Sequence, residues 1–244
     1  MNSCALTDKG NVRRQNQDCY FLSCLPEKDA AVMVVCDGMG GAKAGNVASD
    51  LACKVFAEAF GSGFDPSDPS LDVEKRLVDT LALANTAVYE LSVADEACRG
   101  MGTTLVAAVA IRGALTVINV GDSRAYHITD DAMIRITRDH SVVEDMVEEG
   151  RISRAESRTH PSKNLITRAV GTGPEVACDV FKRRIEPGEK LLLCSDGLSN
   201  LSDDRDLFAF IKARPDIRTC AEALMTDAAD KGAPDNVTLI LFEA

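Results

Sequence analysis

The sequence has no tryptophan, three histidines and only 5% aromatic residues. Its core must therefore be built mainly from Ala, Val, Leu and Ile, and His127, His140 and His160 are too far apart to form a helical histidine metal motif. None of its nine cysteines forms a Cys-x-x-Cys pair. An odd, scattered set argues against a disulfide framework or a thiolate zinc site and points to a reducing compartment. No apolar run approaches the ~20 residues needed to span a bilayer, and MNSCALTDKGN at the amino terminus lacks the apolar core of a secretion signal. The expectation is a soluble cytoplasmic protein with no membrane partner. Positive charge is also short, 27 Lys+Arg against 38 Asp+Glu for a formal charge of −11, which excludes nucleic acid as a partner because such binding neutralises phosphates with Lys and Arg. The absence of any G-x-x-x-x-G-K-[ST] run excludes a P-loop nucleotidase.

What is present is an ordinary globular composition, 45% hydrophobic and 27% charged over 244 residues, enough for one large domain or two small ones. Runs rich in Val, Ile and Leu bounded by turn residues predict strands at 31–36, 103–111, 115–120, 124–128, 190–194 and 237–242. Arg112-Gly113 separates two of them by a two-residue turn, which predicts an antiparallel hairpin. Apolar residues recur at spacings of three and four from Val73 to Leu91 and from Ile217 to Ala228, predicting helices, the second closed by Gly232. Ser141 with Glu144 and Ser153 with Glu156 are capping-box patterns. The Gly-, Pro- and Ser-rich stretch 61–70 reads as a loop between two helices rather than a domain boundary. Interleaved helices with an antiparallel hairpin predict an α+β fold, and the chain reads as a single domain, 1–244.

Four aspartates share one setting. Asp37 follows VMVVC, Asp122 follows LTVINVG, Asp196 follows LLLCS and Asp235 precedes VTLILF, so each adjoins a buried strand. A lone Asp-Gly is usually only a turn, but four carboxylates at strand ends can converge on one edge of a sheet. Converged carboxylates stay ionised together only around a cation. Oxygen ligands without a histidine or thiolate cluster select a hard ion such as Mg²⁺ or Mn²⁺. Residue spacing thus leads as far as a metal-dependent hydrolase.

Nine segments then carry a family resemblance: TDKGNVRRQNQD (7–18), VCDGMGGAKAG (35–45), GTT (102–104), VGDSRAY (120–126), RDHS (138–141), EGRIS (149–153), HPSKNLITRAVG (160–171), LLCSDGL (192–198) and DNVTLILF (235–242). In this order, across nearly the whole chain, they resemble the metal-dependent Ser/Thr protein phosphatases of the PP2C type, most closely the short bacterial members. The resemblance implies two stacked antiparallel sheets flanked by helices on both sides, with two Mn²⁺ or Mg²⁺ ions at one end and a third, weaker one. It implies that Asp37 bridges both ions, that Gly38 offers a carbonyl to the first, that Asp196 and Asp235 ligate the second, that Asp122 with Asp196 serves the third, and that Asp18 reaches the centre directly or through water. Arg13 matches the arginine that grips the substrate phosphate. The implied reaction is hydrolysis of phosphoserine and phosphothreonine monoesters by a water or hydroxide bridging the ions, with Asp37, Asp196 and Asp235 as the catalytic carboxylates. The implied partners are phosphoproteins and a cognate Ser/Thr kinase, for a monomeric enzyme.

Several positions depart from common family patterns. Met39 stands where many eukaryotic members have a histidine proposed as general acid, Ala42 and Asn46 replace a His and a Glu frequent in bacterial members, and Asn200 replaces an aspartate that supports the third metal. His160 falls in a segment, 150–168, that resembles the mobile flap of bacterial members, and reads either as a substrate contact or as a loop cap. Arg14 is taken as surface, and His127 and His140 as structural. A pseudophosphatase and a phosphatase of an anti-sigma-factor-antagonist pathway are the competing functions. The intact Asp37, Asp196 and Asp235 favour an active enzyme over the former, and the lack of residues outside the catalytic core disfavours the latter.

Overall fold

Strand β3 (Ala30–Met39) is buried on both faces through Cys36, and the two surfaces it separates organise the molecule. The computed structural model describes residues 1–244 apart from the side chains of residues 41–43. One sheet has the order β2 (Asp18–Leu25), β3, β5 (Leu105–Ile111), β6 (Ala114–Val120), β9 (Asp179–Arg184), with the short β4 (Gly102–Thr103) paired to the end of β3. The other has the order β1 (Asn2–Asp8), β11 (Val237–Glu243), β10 (Lys190–Cys194), β7 (Arg124–Ile128), β8 (Met133–Arg135). All pairings within them are antiparallel.

Side-chain alternation assigns each face its core. Ala31, Met33 and Val35 of β3 pack between the sheets with Leu191, Leu193, Ile240 and Phe242. Val32, Val34 and Cys36 point the other way, under helices α1 (Gly41–Gly61) and α2 (Val73–Ala94). Helix α1 presents Ala48, Ala52, Phe56 and Phe60, four residues apart and all buried; its alanines let the backbone lie close to the sheet. On the opposite outer face, α6 (Asp204–Lys212) and α7 (Ile217–Asp230) cover the second sheet with Leu207, Ile211, Ala221, Leu224 and Ala228. The architecture is the expected four-layer sandwich.

Most elements fall where the sequence places them. The hairpin at Arg112-Gly113 is a two-residue turn with both φ values positive, 49° and 76°, as a type I′ turn requires. Gly61 ends α1 and the rest of the segment 61–70 lies in the loop joining α1 to α2, closed by Arg76, whose Nε donates to Phe60 O at 2.9 Å. Asp72 and Asp216 cap α2 and α7, and Gly232, at φ 98°, follows the end of α7. Three expectations need correction. The strand expected over 103–111 is broken at Thr104, which leaves the ladder to bind Asp37. Asp37 lies inside β3, which runs on to Met39. Ser153 and Glu156 form a complete capping box at α4 (Arg154–Ser157), whereas at α3 (Val142–Glu148) Ser141 accepts from Glu144 N but the Glu144 carboxylate turns away to two arginines. Among the described residues, no helix is long and apolar enough to cross a membrane.

Candidate functional site

Asp18 and Asp37 are direct partners across β2 and β3. The next pair is hydrogen-bonded, Gly38 N donating to Gln17 O at 2.9 Å, so Asp18 and Asp37 occupy the closer, non-hydrogen-bonded kind of position. The Asp37 backbone is held from the other side: its N–H donates to Thr104 Oγ1 at 2.9 Å, and its carbonyl accepts from Thr104 N at 2.8 Å and Thr103 Oγ1 at 2.9 Å. At Gly38 a Cβ would stand 2.0 Å from Gly45 O and 2.7 Å from Gln17 O. Only glycine permits this approach of three backbone segments.

The other carboxylates arrive from separate elements. Asp122 follows β6 after Gly121, whose φ of 104° and packing on Thr104, 2.5 Å from a would-be Cβ, again demand glycine. His140 fixes that turn, accepting from Gly121 N through Nδ1 at 3.1 Å and donating its own N–H to Gly121 O at 2.9 Å. Asp196 is the first residue of the short α5 (Asp196–Ser199), just past β10, and Asp235 lies two residues before β11. Asp37, Gly38, Asp122, Asp196, Asp235 and Arg13 all line one cleft of about 460 Å³. Asp18 is buried behind it. Every expected site residue is thus gathered at one end of the sandwich.

Burial, and then mutual charge, pushes four of these carboxyls upward. Burial raises Asp37 well above the ordinary carboxylate range, and Asp18, Asp196, Asp122 and Asp235 add to the rise. Burial likewise raises Asp122, reinforced by Asp196 and Asp139 and opposed by Arg124. Asp196 is raised by burial and by Asp235, with a hydrogen bond from Asp37 pulling back down. Asp18 is pushed up to about 7, chiefly by burial, although the neighbouring Thr238 and Ser195 hydroxyls lower it. Arg13, half exposed, pairs with Asp235 at 2.6 Å, and that hydrogen bond raises its pKa further.

Carboxylates held this way fit a cation. Asp18 Oδ2 accepts from Ser195 Oγ at 2.8 Å, but Oδ1 is buried with no partner, an acceptor whose burial is costly unless something positive satisfies it. The donor set is all oxygen, which suits Mn²⁺ or Mg²⁺. Among the described residues no three Asp, Glu, His or Cys side chains are already closed into a ligand cluster; the carboxylates face one another across an open cleft.

Sequence reasoning missed the residues that hold the site together. Asn236 Oδ1 accepts from Gln17 N at 2.8 Å, and its Nδ2 donates to Lys9 O at 2.8 Å and Gln15 O at 3.0 Å, so one side chain anchors the loop that carries Arg13. Arg14, taken as surface, also lines the cleft. Asn200 Nδ2 donates to Asp196 Oδ2 at 2.9 Å, orienting that carboxylate. His160 does not line the cleft and accepts from Ser162 N at 3.1 Å, which is the loop-capping alternative. His127 pairs with Glu189 at 2.8 Å inside the β7 region. Met39 lines the cleft and has no proton to give. Asn46 Oδ1 is buried without a partner, and the side chain of Ala42 lies outside the described residues. The nine cysteines are free, with Cys36 and Cys194 fully buried.

The stacked antiparallel sheets thus carry an all-oxygen carboxylate cleft at one end. The family model Protein phosphatase 2C matches residues 11–229. The chain is 33% identical to the serine/threonine phosphatase stp of Listeria innocua, over 97% of this chain and 93% of that one. It superposes on the crystal structure of the Mycobacterium tuberculosis serine/threonine phosphatase PstP/Ppp with a TM-score of 0.88 at 33% identity, covering 98% of this chain and 97% of that chain. The structure of the PstP catalytic domain in complex with two manganese ions aligns with a TM-score of 0.85, again at 33% identity, over 98% and 96% of the two chains. The chain belongs to the protein phosphatase 2C family.

Proposed function

We infer that this protein hydrolyses phosphoserine and phosphothreonine monoesters on proteins at the carboxylate cleft. The convergence of Asp37, Asp122, Asp196 and Asp235 on one cavity beside Arg13 carries this reading. Asp37, the Gly38 carbonyl, Asp196 and Asp235 would hold two Mn²⁺ or Mg²⁺ ions, with Asp18 completing the centre from behind and Asp122 and Asp196 serving a weaker third. Bound ions supply a water nucleophile at neutral pH and neutralise charge on the phosphoryl group. Arg13 anchors to Asp235 through Nη2 and turns the rest of its guanidinium fork to phosphoryl oxygens, keeping its charge throughout. Thr103 and Thr104 keep Asp37 in place, and Asn236 keeps the Arg13 loop in place, so both sides of the cleft are preorganised. Met39 offers no proton, so the leaving alkoxide takes its proton from water or from another group. The chain acts as one catalytic domain, 1–244, as a cytoplasmic monomer opposing a Ser/Thr kinase.

The test is hydrolysis of p-nitrophenyl phosphate and a phosphothreonine peptide with Mn²⁺. Activity should vanish in EDTA and return with added metal. Asp37→Ala should lower kcat more than about a hundredfold with the fold intact, and Arg13→Ala should act mainly on KM. Full turnover in chelator would refute the metal-dependent mechanism.

A further inference from the structure

A second cavity, of about 670 Å³, opens beside the catalytic cleft and shares Asp122 and Asp196 with it. Its floor is an ion network in which three guanidiniums, two of them largely buried and that of Arg154 half exposed, meet two buried carboxylates. Arg124 grips Asp139 through Nε and Nη2 at 3.0 and 2.6 Å, with side chains only 16% and 8% exposed. Arg135 spans Asp139 at 3.5 Å and Glu144 at 3.1 Å, and Arg154 closes on Glu144 from α4.

The rim adds more positive charge. Lys163 and Arg205 have no ion-pair partner among the described residues, and Arg158 touches only the Asn200 carbonyl, at 3.4 Å. The remaining carboxylates, Asp203 and Asp204, already accept from Asp206 N at 2.8 Å and from the Tyr126 hydroxyl at 3.0 Å. Six cationic side chains and six carboxylates line the cavity; with Asp122 and Asp196 engaged by the metal ions of the proposed centre, the six cations face four carboxylates. That local excess occurs in a chain whose net charge is −11.

We propose that this cavity is a second anion subsite, which holds another phosphoryl group on the same substrate segment while the first is hydrolysed. A phosphoryl group brings a charge of roughly −1.5 to −2 and three acceptor oxygens, which matches the excess and the forked donors of Arg158 and Arg205. Because the two cavities share a wall and an extended chain advances about 3.3–3.6 Å per residue, phosphates a few residues apart reach both sites. The protein therefore prefers multiply phosphorylated segments. This rests on the phosphatase reading above.

The experiment compares kcat/KM of the Mn²⁺-loaded wild type for one peptide phosphorylated once and the same peptide phosphorylated at a second site two to four residues away. The wild type should favour the doubly phosphorylated peptide about tenfold, through KM. Arg158→Ala/Arg205→Ala should lose that preference and keep its rate on p-nitrophenyl phosphate and on the singly phosphorylated peptide. A wild type without the preference, or a double variant that retains it, overturns the proposal. Inorganic phosphate is the other source of the same anion: if the wild type shows no peptide preference while phosphate inhibits p-nitrophenyl phosphate hydrolysis non-competitively in the wild type and only competitively in the double variant, the site binds free phosphate and the substrate assignment falls. A protein inactive on every substrate would instead refute the phosphatase reading itself.

Discussion

Asn236 anchors the loop that carries Arg13 through three hydrogen bonds, from Gln17 N and to Lys9 O and Gln15 O. Asn236→Ala strands one backbone donor and two acceptors, the side chain itself being 3% exposed. It should cost about 2–3 kcal/mol in urea unfolding and raise KM for phosphopeptide several-fold, because Arg13 loses its footing. Wild-type stability together with wild-type KM would remove Asn236 from this role. The contrast with the aspartates is instructive. Asp37, Asp122, Asp196 and Asp235 are legible in the sequence because each adjoins an apolar strand run. Asn236, Thr104 and Ser195 are not, because their partners lie far along the chain: Gln17 is 219 residues from Asn236, and Asp37 is 67 residues from Thr104. Spacing reveals which residue types stand at strand ends and says nothing of what holds them there.

At the scale of elements, the readable ones carry a clean period. Helices α2 and α7 show apolar residues at spacings of three and four, and β10 is a short apolar run bounded by turns. Helix α1 shows only by its end at the 61–70 loop, because its buried stripe begins with alanines, which carry little hydrophobic contrast, and β1 and β2 escape because polar residues interrupt their alternation. Capping patterns were half informative. At α3 the Glu144 carboxylate, 5% exposed, binds Arg135 Nη2 at 3.1 Å and Arg154 instead of its own N-cap, tying α3, α4 and β8 together. Burial alone would raise Glu144, but the hydrogen bond from Arg154 and the charges of Arg135 and Arg154 outweigh it, so its pKa is lowered from 4.5. A lowered carboxylate contributes stability that is present above its unfolded pKa and lost as pH falls through the folded one. Glu144→Gln should therefore cost about 2 kcal/mol at pH 7 and progressively less below pH 4.5. Parallel melting curves for wild type and variant from pH 7 to 3 would show the gap closing, and a gap independent of pH would contradict the assignment.

At the scale of the whole molecule, the excess of 38 acidic over 27 basic residues is not spread evenly as solvated charge. Five of the carboxylates, Asp18, Asp37, Asp122, Asp196 and Asp235, are drawn into or behind one cleft, and burial together with the neighbouring carboxylates raises Asp18, Asp37, Asp122 and Asp196. A carboxylate whose folded pKa is raised costs nothing below its unfolded value. The cost grows as pH climbs toward the folded value and is then constant. For Asp18 that window runs from 3.8 to about 7. Asp18→Asn removes the charge while its amide oxygen can still accept from Ser195. In chelator the variant and the wild type should melt together near pH 4, and the variant should become the more stable as pH rises to 7.5. The difference there should be about 2 kcal/mol, or roughly 4–8 °C in Tm. High Mn²⁺ should reverse the order, because at a given free metal concentration the stabilisation grows with the logarithm of [Mn²⁺]/Kd and the wild type binds the ion more tightly than the variant. Calorimetry of both proteins with and without metal across this pH range decides the matter. If the variant in chelator is no more stable than the wild type at pH 7.5, the buried carboxylates are not in conflict, and the acidic cleft is not held open at a cost that metal binding relieves.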